Sequence, residues 1–148
     1  MNEILAYTKD LDTNLKVIGG VGTGKTTSIK LIIKELSKNY KVLVLDPGGE
    51  YLDINSNSLK VINMSKVIKE ASKNEFRDFL ISDSLKDIAK EYDFVALDET
   101  YPYYENNVAE FVSFLTELNN EDVKVIASFQ EIPPFDIDTK FQNFLSTK

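Results

Sequence analysis

Short apolar runs recur along the chain, and each stops at a glycine-rich or polar break. Leu15, Val17 and Ile18 run into Gly19. Lys41-Val42-Leu43-Val44-Leu45 stops at Asp46-Pro47-Gly48-Gly49, Asp93-Phe94-Val95-Ala96-Leu97 at Asp98-Glu99, and Val123 to Phe129 at Gln130. Their length, their β-branched residues and the breaks behind them predict buried strands. A further short strand is expected from Leu59 to Met64. Between the runs the period changes. Ile29, Leu31, Ile32, Ile33 and Leu36 predict a helix from Thr26 to Ser37, and a second is expected from about Val108 to Leu118. Residues 65–90 carry a helical period broken near Ser82-Asp83-Ser84, with Ser65 and Ser84 as candidate caps. Residues 1–14 are polar and mixed, with Leu5 and Tyr7 as anchors, and 131–148, containing Pro133-Pro134, read as loop with one short helical turn.

Strands that alternate with helices, and that are apolar throughout, imply a parallel sheet covered on both faces. The expectation is one α/β domain over 1–148, with a core at 15–130 and a C-terminal tail at 131–148. Ligands of such sheets sit at the carboxyl ends of the strands. Gly19 onward, Asp46, Asp98-Glu99 and Gln130 all follow strands, so one shared crevice is expected.

Gly19-Gly20-Val21-Gly22-Thr23-Gly24-Lys25-Thr26 fits the phosphate-loop pattern G-x-x-x-x-G-K-[ST] at every fixed position, between an expected strand and an expected helix. Glycines let backbone N–H groups converge on phosphate oxygens, and a helix N-terminus adds partial positive charge. Gly19, Gly20, Val21, Gly22, Thr23, Gly24, Lys25, Thr26 and Thr27 are therefore the candidate ATP-binding residues. Lys25 is expected to reach the outer phosphates and Thr26 to ligate Mg²⁺. A glycine-rich turn that binds nothing is the bland alternative.

The second half of the site is expected at Asp98 and Glu99. An aspartate ending an apolar strand can hold the water shell of Mg²⁺, and the glutamate after it can orient or deprotonate the attacking water. Two surface acids at a strand end are the competing reading. Gln130 is a candidate sensor of the terminal phosphate, or a solvated loop residue. Asp46 and Glu50 are candidates for contact with metal-bound water or a neighbouring subunit, and Glu50 equally for simply solvating the turn. Tyr101, Tyr103 and Tyr104 either stack on bases or, as the plainer reading, pack a loop onto the domain.

Composition narrows the chemistry. The chain has 148 residues, 43% apolar, enough for a real core. It has no cysteine and no histidine, so acid–base work falls to Asp, Glu, Lys or Tyr, and thiolate metal sites are excluded. There is no membrane-length apolar stretch and no basic segment ahead of an apolar N-terminal run, so a cytoplasmic location is expected, in a cell or a virus-infected host. A net charge of −7 argues against a broadly basic nucleic-acid surface but leaves room for a local stripe. Lys66, Lys69, Lys73 and Arg77 are spaced to share one helix face, which either meets DNA or a neighbour's nucleotide, or is ordinary solvated surface.

Gly19 to Thr26, Val44-Leu45-Asp46-Pro47-Gly48-Gly49-Glu50-Tyr51, Phe94 to Glu99 and Ala127-Ser128-Phe129-Gln130 together resemble the FtsK–HerA class of DNA-pumping ATPases, which includes viral genome-packaging ATPases. The second piece is similar to the D-P-x-G-E-Y turn of that class. The resemblance covers residues 15–130. It implies a P-loop NTPase fold of the RecA/ASCE type and Mg²⁺-dependent ATP hydrolysis in a homo-oligomeric ring, with double-stranded DNA as partner. It puts Lys25, Thr26, Asp98, Glu99 and Gln130 in the family roles. Rings of this class use an arginine finger from a neighbouring subunit. Arg77 is the only arginine, so either Arg77 serves, a lysine does, or another chain completes the site. An isolated domain is expected to be a monomer and a slow ATPase. Two other readings compete: a ParA-like ATP-dependent switch, which would place a lysine where Ile18 stands, and a small-molecule kinase, which usually needs an arginine-rich lid.

Overall fold

The alternation of strand and helix expected from the hydrophobic pattern is the architecture found. The computed structural model describes residues 13–20, 22–46, 48–54, 58–63, 83–105 and 107–147. Along them run β1 (Leu15–Ile18), α1 (Lys25–Leu36), β2 (Val42–Asp46), a 3₁₀ turn (Leu52–Ile54), β3 (Leu59–Asn63) and α2 (Asp83–Ala89). Then come β4 (Phe94–Leu97), α3 (Tyr101–Tyr104), α4 (Val108–Asn120), β5 (Lys124–Phe129), α5 (Phe135–Asp138) and β6 (Asn143–Ser146). The strands form one six-stranded sheet in the order β3-β2-β4-β5-β1-β6, and every pairing is parallel.

Successive residues of a strand point to opposite faces, so a sheet buried on both faces needs strands that are apolar at every position. Leu43, Leu45, Val95, Leu97, Val125 and Ala127 pack on one side against Phe111, Phe114, Leu115 and Leu118 of α4. Their neighbours Val42, Val44, Phe94, Ala96 and Ile126 pack on the other against Ile29, Ile32, Ile33 and Leu36 of α1. Steps of three, one and three along α1 keep those four residues on one stripe. The sheet with helices on both faces has the RecA/ASCE-like form of a P-loop NTPase.

The register aligns the functional ends. Leu97 lies opposite Ala127, and Ile18 opposite Phe129. Gly19, Asp98 and Ser128 therefore meet at the carboxyl ends of the strands. The amino ends are held by Asn14, which is 2% exposed. Its amide N–H groups donate to Asn119 Oδ1 at 2.9 Å and to the Lys140 carbonyl at 2.7 Å, and its Oδ1 accepts from the Val125 N–H at 2.8 Å.

Several local expectations change. Residues 131–148 are more than loop and a helical turn: after α5 the chain returns as β6 and pairs in parallel with β1. That strand is four residues long, alternates half-buried with exposed positions, and lies at the sheet edge, so it leaves no apolar run to detect. Tyr101–Tyr104, expected as loop, forms one helical turn with Pro102 in its first positions, where a missing N–H costs nothing. Ser84 lies inside the first turn of α2 rather than before it. Leu5, Tyr7, Val21, Ser65 and the Lys66, Lys69, Lys73 and Arg77 stripe lie outside the described residues.

Replacing Asn14 by Ala strands the buried Val125 N–H. An unsatisfied buried donor costs about 1–3 kcal/mol. Urea unfolding of Asn14→Ala should show a stability loss in that range, and an unchanged midpoint would contradict the role assigned to this amide.

Candidate active site

The phosphate loop joins β1 to α1. Gly22 and Gly24 adopt φ values of 78° and 88°, the left-handed region that side chains disfavour. Gly24 is the N-cap of α1, and the first turn of α1 contains no acid and no side-chain cap. The partial positive charge at that helix end is thus not neutralised by its own residues. The Gly19 N–H is anchored to the Phe129 carbonyl at 3.1 Å. A Cβ at Gly19 would come 2.1 Å from Thr147 Oγ1 and 2.4 Å from Thr23 Oγ1, so the chain after β6 presses directly on the loop. Those two hydroxyls are 2.8 Å apart, and Thr23 Oγ1 also donates to the Gly20 carbonyl at 2.7 Å. Lys25 Nζ lies over the loop, donating to the carbonyls of Gly19 and Gly20 at 2.5 and 3.0 Å.

Across from the loop stands Asp98, 2% exposed at the end of β4. Its Oδ2 accepts from Thr26 Oγ1 and from the Tyr51 hydroxyl, each at 2.7 Å. Its Oδ1 accepts from Ser128 Oγ at 2.5 Å and from the Glu99 N–H at 3.0 Å. The loop helix and the strands on either side of β4 each supply a donor to one carboxylate. Such charge-assisted bonds are the strong kind. Ser128 Oγ also accepts the Glu99 N–H, at 2.8 Å. Thr100 closes the bend, with its N–H 3.3 Å from the Ser128 carbonyl and its hydroxyl donating to the same oxygen.

Glu99 sits in that bend at φ 53°, a left-handed conformation uncommon for a residue with a side chain. Desolvation raises its pKa, and the charges of Asp98 and Glu50 raise it further against the opposing pull of Lys25. Burial, then the Asp98 charge, push the Tyr51 hydroxyl up, so it remains a neutral donor. Gly20, Gly22, Lys25, Glu99, Ser128 and Gln130 share a cleft of about 850 Å³ that continues past Thr100 to Tyr101, Pro102 and Glu131.

The structure thus brings the loop, Lys25, Thr26, Asp98, Glu99 and Gln130 together; Thr27 is exposed on α1. Val21 and Arg77 lie outside the described residues. Asp46 departs from its expectation. It is fully buried, and its carboxylate accepts the N–H groups of Gly48, Gly49, Glu50 and Tyr51 at 3.3, 3.0, 3.1 and 3.0 Å. It shapes the turn, while Glu50 reaches the cleft. Tyr103 and Tyr104 are buried against Phe111, the plainer of their two readings, whereas Tyr101 is 59% exposed. Tyr51 and Ser128, which stand in the pieces that carry the family resemblance, join the site without a role having been expected of them, and Thr147 joins it from outside those pieces. For Ser128 the available signal was a hydroxyl inside an otherwise apolar strand.

A hydroxyl and a carboxylate converging at Thr26 and Asp98 fit a hard cation that keeps water and phosphate oxygens as its other ligands. Among the described residues no group of three or more His, Cys, Asp or Glu could hold a metal unaided. The donor set therefore suits Mg²⁺ arriving with a nucleotide, which Thr26 and Asp98 would hold.

The family described as helicase HerA, central domain, matches residues 5–134. The chain belongs to that family and is a P-loop ATPase core of the FtsK–HerA class. No curated protein sequence matches it. Among solved structures it is similar to the cytoplasmic domain of EssC, at 14% identity and TM-score 0.60 over 92% of this chain and 31% of that one. It is also similar to PCH-2 of C. elegans, at 15% identity and TM-score 0.55 over 99% and 40%. A third is the replication initiator DnaA bound to AMPPCP and single-stranded DNA, at 16% identity and TM-score 0.50 over 97% and 44%. These likenesses concern the fold, and the chain spans less than half the length of each of the three. Among the described residues no helix is long and apolar enough to cross a membrane.

The clash at Gly19 gives a direct test of the loop's packing. Overpacking a tight site costs about 1–3 kcal/mol. Gly19→Ala should lose stability on that scale, and lose less when Thr23 and Thr147 are both changed to Ala. Equal losses in the two backgrounds would show that the threonines do not confine Gly19.

Proposed function

We propose that this ATPase core binds ATP with Mg²⁺ at the phosphate loop, hydrolyses it with Glu99 as the base, and serves a ring-forming motor that moves or packages double-stranded DNA. One observation carries the reading: Lys25 and Glu99, from two separate strand ends, line one cleft beside a helix N-terminus, and their chain neighbours Thr26 and Asp98 are hydrogen-bonded to each other next to it. The loop amides and Lys25 bind phosphates. Thr26 and Asp98 hold the cation, whose chemistry is to neutralise charge on the outer phosphates. Glu99, held beside Asp98, accepts a proton from water, and its raised pKa suits it to that task. Gln130 orients groups at the outer phosphate from the next strand end.

The ring and the DNA rest on the family, whose name is that of a helicase, and on the shape of the cleft. Beyond Glu99 the cleft is open and lined by Glu50 and Glu131, and among the described residues Lys25 is the one cation that lines it. A positive group from a neighbouring copy would complete it, and Arg77 is the residue of that type in the sequence. A solved structure of similar fold, that of DnaA, is bound to single-stranded DNA, which accords with a nucleic-acid partner.

Glu99→Gln keeps the side chain's shape and removes the base. Its turnover should fall by ~10²–10⁴-fold while calorimetry finds ATP affinity retained. Because burial, and then the charges of Asp98 and Glu50, raise the Glu99 pKa, the carboxylate protonates at a higher pH than an ordinary glutamate, and the wild-type rate should fall on acidification from above the usual carboxylate range. Wild-type turnover in Glu99→Gln, or an acid limb unchanged by the substitution, would remove Glu99 from the chemistry. Double-stranded DNA should stimulate the wild-type rate, and indifference to DNA at every protein concentration would contradict the motor.

A further inference from the structure

We propose that Tyr51 is a positioning residue of the nucleotide site: its hydroxyl holds the Asp98 carboxylate in place and ties it to the turn that carries Glu50. The inference rests on the reading of the cleft as an ATP and Mg²⁺ site.

Tyr51 is fully buried, yet its ring does not end in the core. Its hydroxyl meets Asp98 Oδ2 at 2.7 Å, the same oxygen that Thr26 Oγ1 approaches at 2.7 Å. A buried carboxylate left short of donors pays a large desolvation cost. The Thr26 hydroxyl can offer a lone pair to a cation while its one O–H still donates to Asp98 Oδ2. The Tyr51 hydroxyl is the second donor on that oxygen and reaches it from a different part of the chain, so the two together fix which way the carboxylate faces. Phenylalanine would fill the same core space without doing this.

The other end of the tie is equally definite. The Tyr51 N–H donates to Asp46 Oδ2, while the N–H groups of Gly48, Gly49 and Glu50 donate to Asp46 Oδ1. Gly49, at φ 79°, permits the tight path. The turn is thus held as a unit by one carboxylate and joined through the Tyr51 ring to another. Glu50 projects from that unit into the cleft that Glu99 and Lys25 line. Lys30 Nζ, 5.6 Å from the centre of the Tyr51 ring, packs α1 against the same side chain. A change at Asp98 when the cation binds is therefore felt by the turn.

Tyr51→Phe removes one hydroxyl and keeps the ring. The Mg²⁺ concentration giving half-maximal ATPase should rise about 10-fold or more, the scale on which partners of metal ligands act. ATP binding in EDTA, measured by calorimetry, should stay at the wild-type value. A second readout needs no turnover. In protein whose tyrosines carry ¹³C at the ring carbon bearing oxygen, the resonance missing from Tyr51→Phe belongs to Tyr51. It should move on addition of Mg²⁺ with a non-hydrolysable ATP analogue and stay in place with the analogue in EDTA. A residue that only fills the core would change the melting temperature and neither of these. An unchanged Mg²⁺ requirement together with an unmoved resonance, in protein that binds the analogue, would overturn the positioning role alone. Failure of the wild-type protein to bind the analogue at all would overturn both this role and the nucleotide site on which it rests.

Discussion

A buried carboxylate is costly unless its oxygens are fully bonded, and Asp98 is fully bonded only if separate parts of the chain arrive together. Thr26 comes from the first turn of α1, Tyr51 from the turn after β2, Ser128 from β5 and the Glu99 N–H from the bend after β4. None of these contacts is local except the last. The parallel order of the sheet, with β4 flanked by β2 and β5, is what makes the meeting possible. The site is thus a consequence of satisfying one negative charge at the carboxyl ends of the strands. The bend at Glu99, with its unusual backbone angle, follows because its N–H is held by both Asp98 and Ser128.

The two ends of the strands differ in kind. At the amino ends, Asn14 closes every bond it can and joins β1, β5 and the segment before β6. At the carboxyl ends, the loop and Glu99 face an open cleft of about 850 Å³. One end is a fixed base, and the other presents convergent donors and acids to a ligand. Two apolar layers lie between them, so the strands cannot slip without exposing core residues on one face or the other.

Most of the fold was legible in the sequence because its strands are buried on both faces and therefore uniformly apolar. The placement of the phosphate loop and of the Asp98-Glu99 pair at strand ends was legible because each is a run of consecutive residues behind an apolar strand. What escaped depends on contacts between distant residues. β6 is short, has polar residues at both ends and is stabilised by pairing with β1, which no local pattern encodes. Asp46 had the right place for chemistry, but whether a strand-end acid faces a ligand or its own turn depends on the path of Gly48 to Tyr51. Tyr51 ends a recognisable turn and Thr147 no motif at all, and neither has a visible role until the fold places one on Asp98 and the other on the loop.

A crystal structure of the protein with Mg²⁺ and a non-hydrolysable ATP analogue tests the central claim most directly. The account predicts the triphosphate along the backbone amides of Gly22 to Thr26 and a cation beside Thr26 Oγ1 and Asp98. It also predicts that Lys25 Nζ leaves the carbonyls of Gly19 and Gly20 for the outer phosphates. A nucleotide bound elsewhere, or Lys25 still on those carbonyls with no phosphate at the loop, would contradict it.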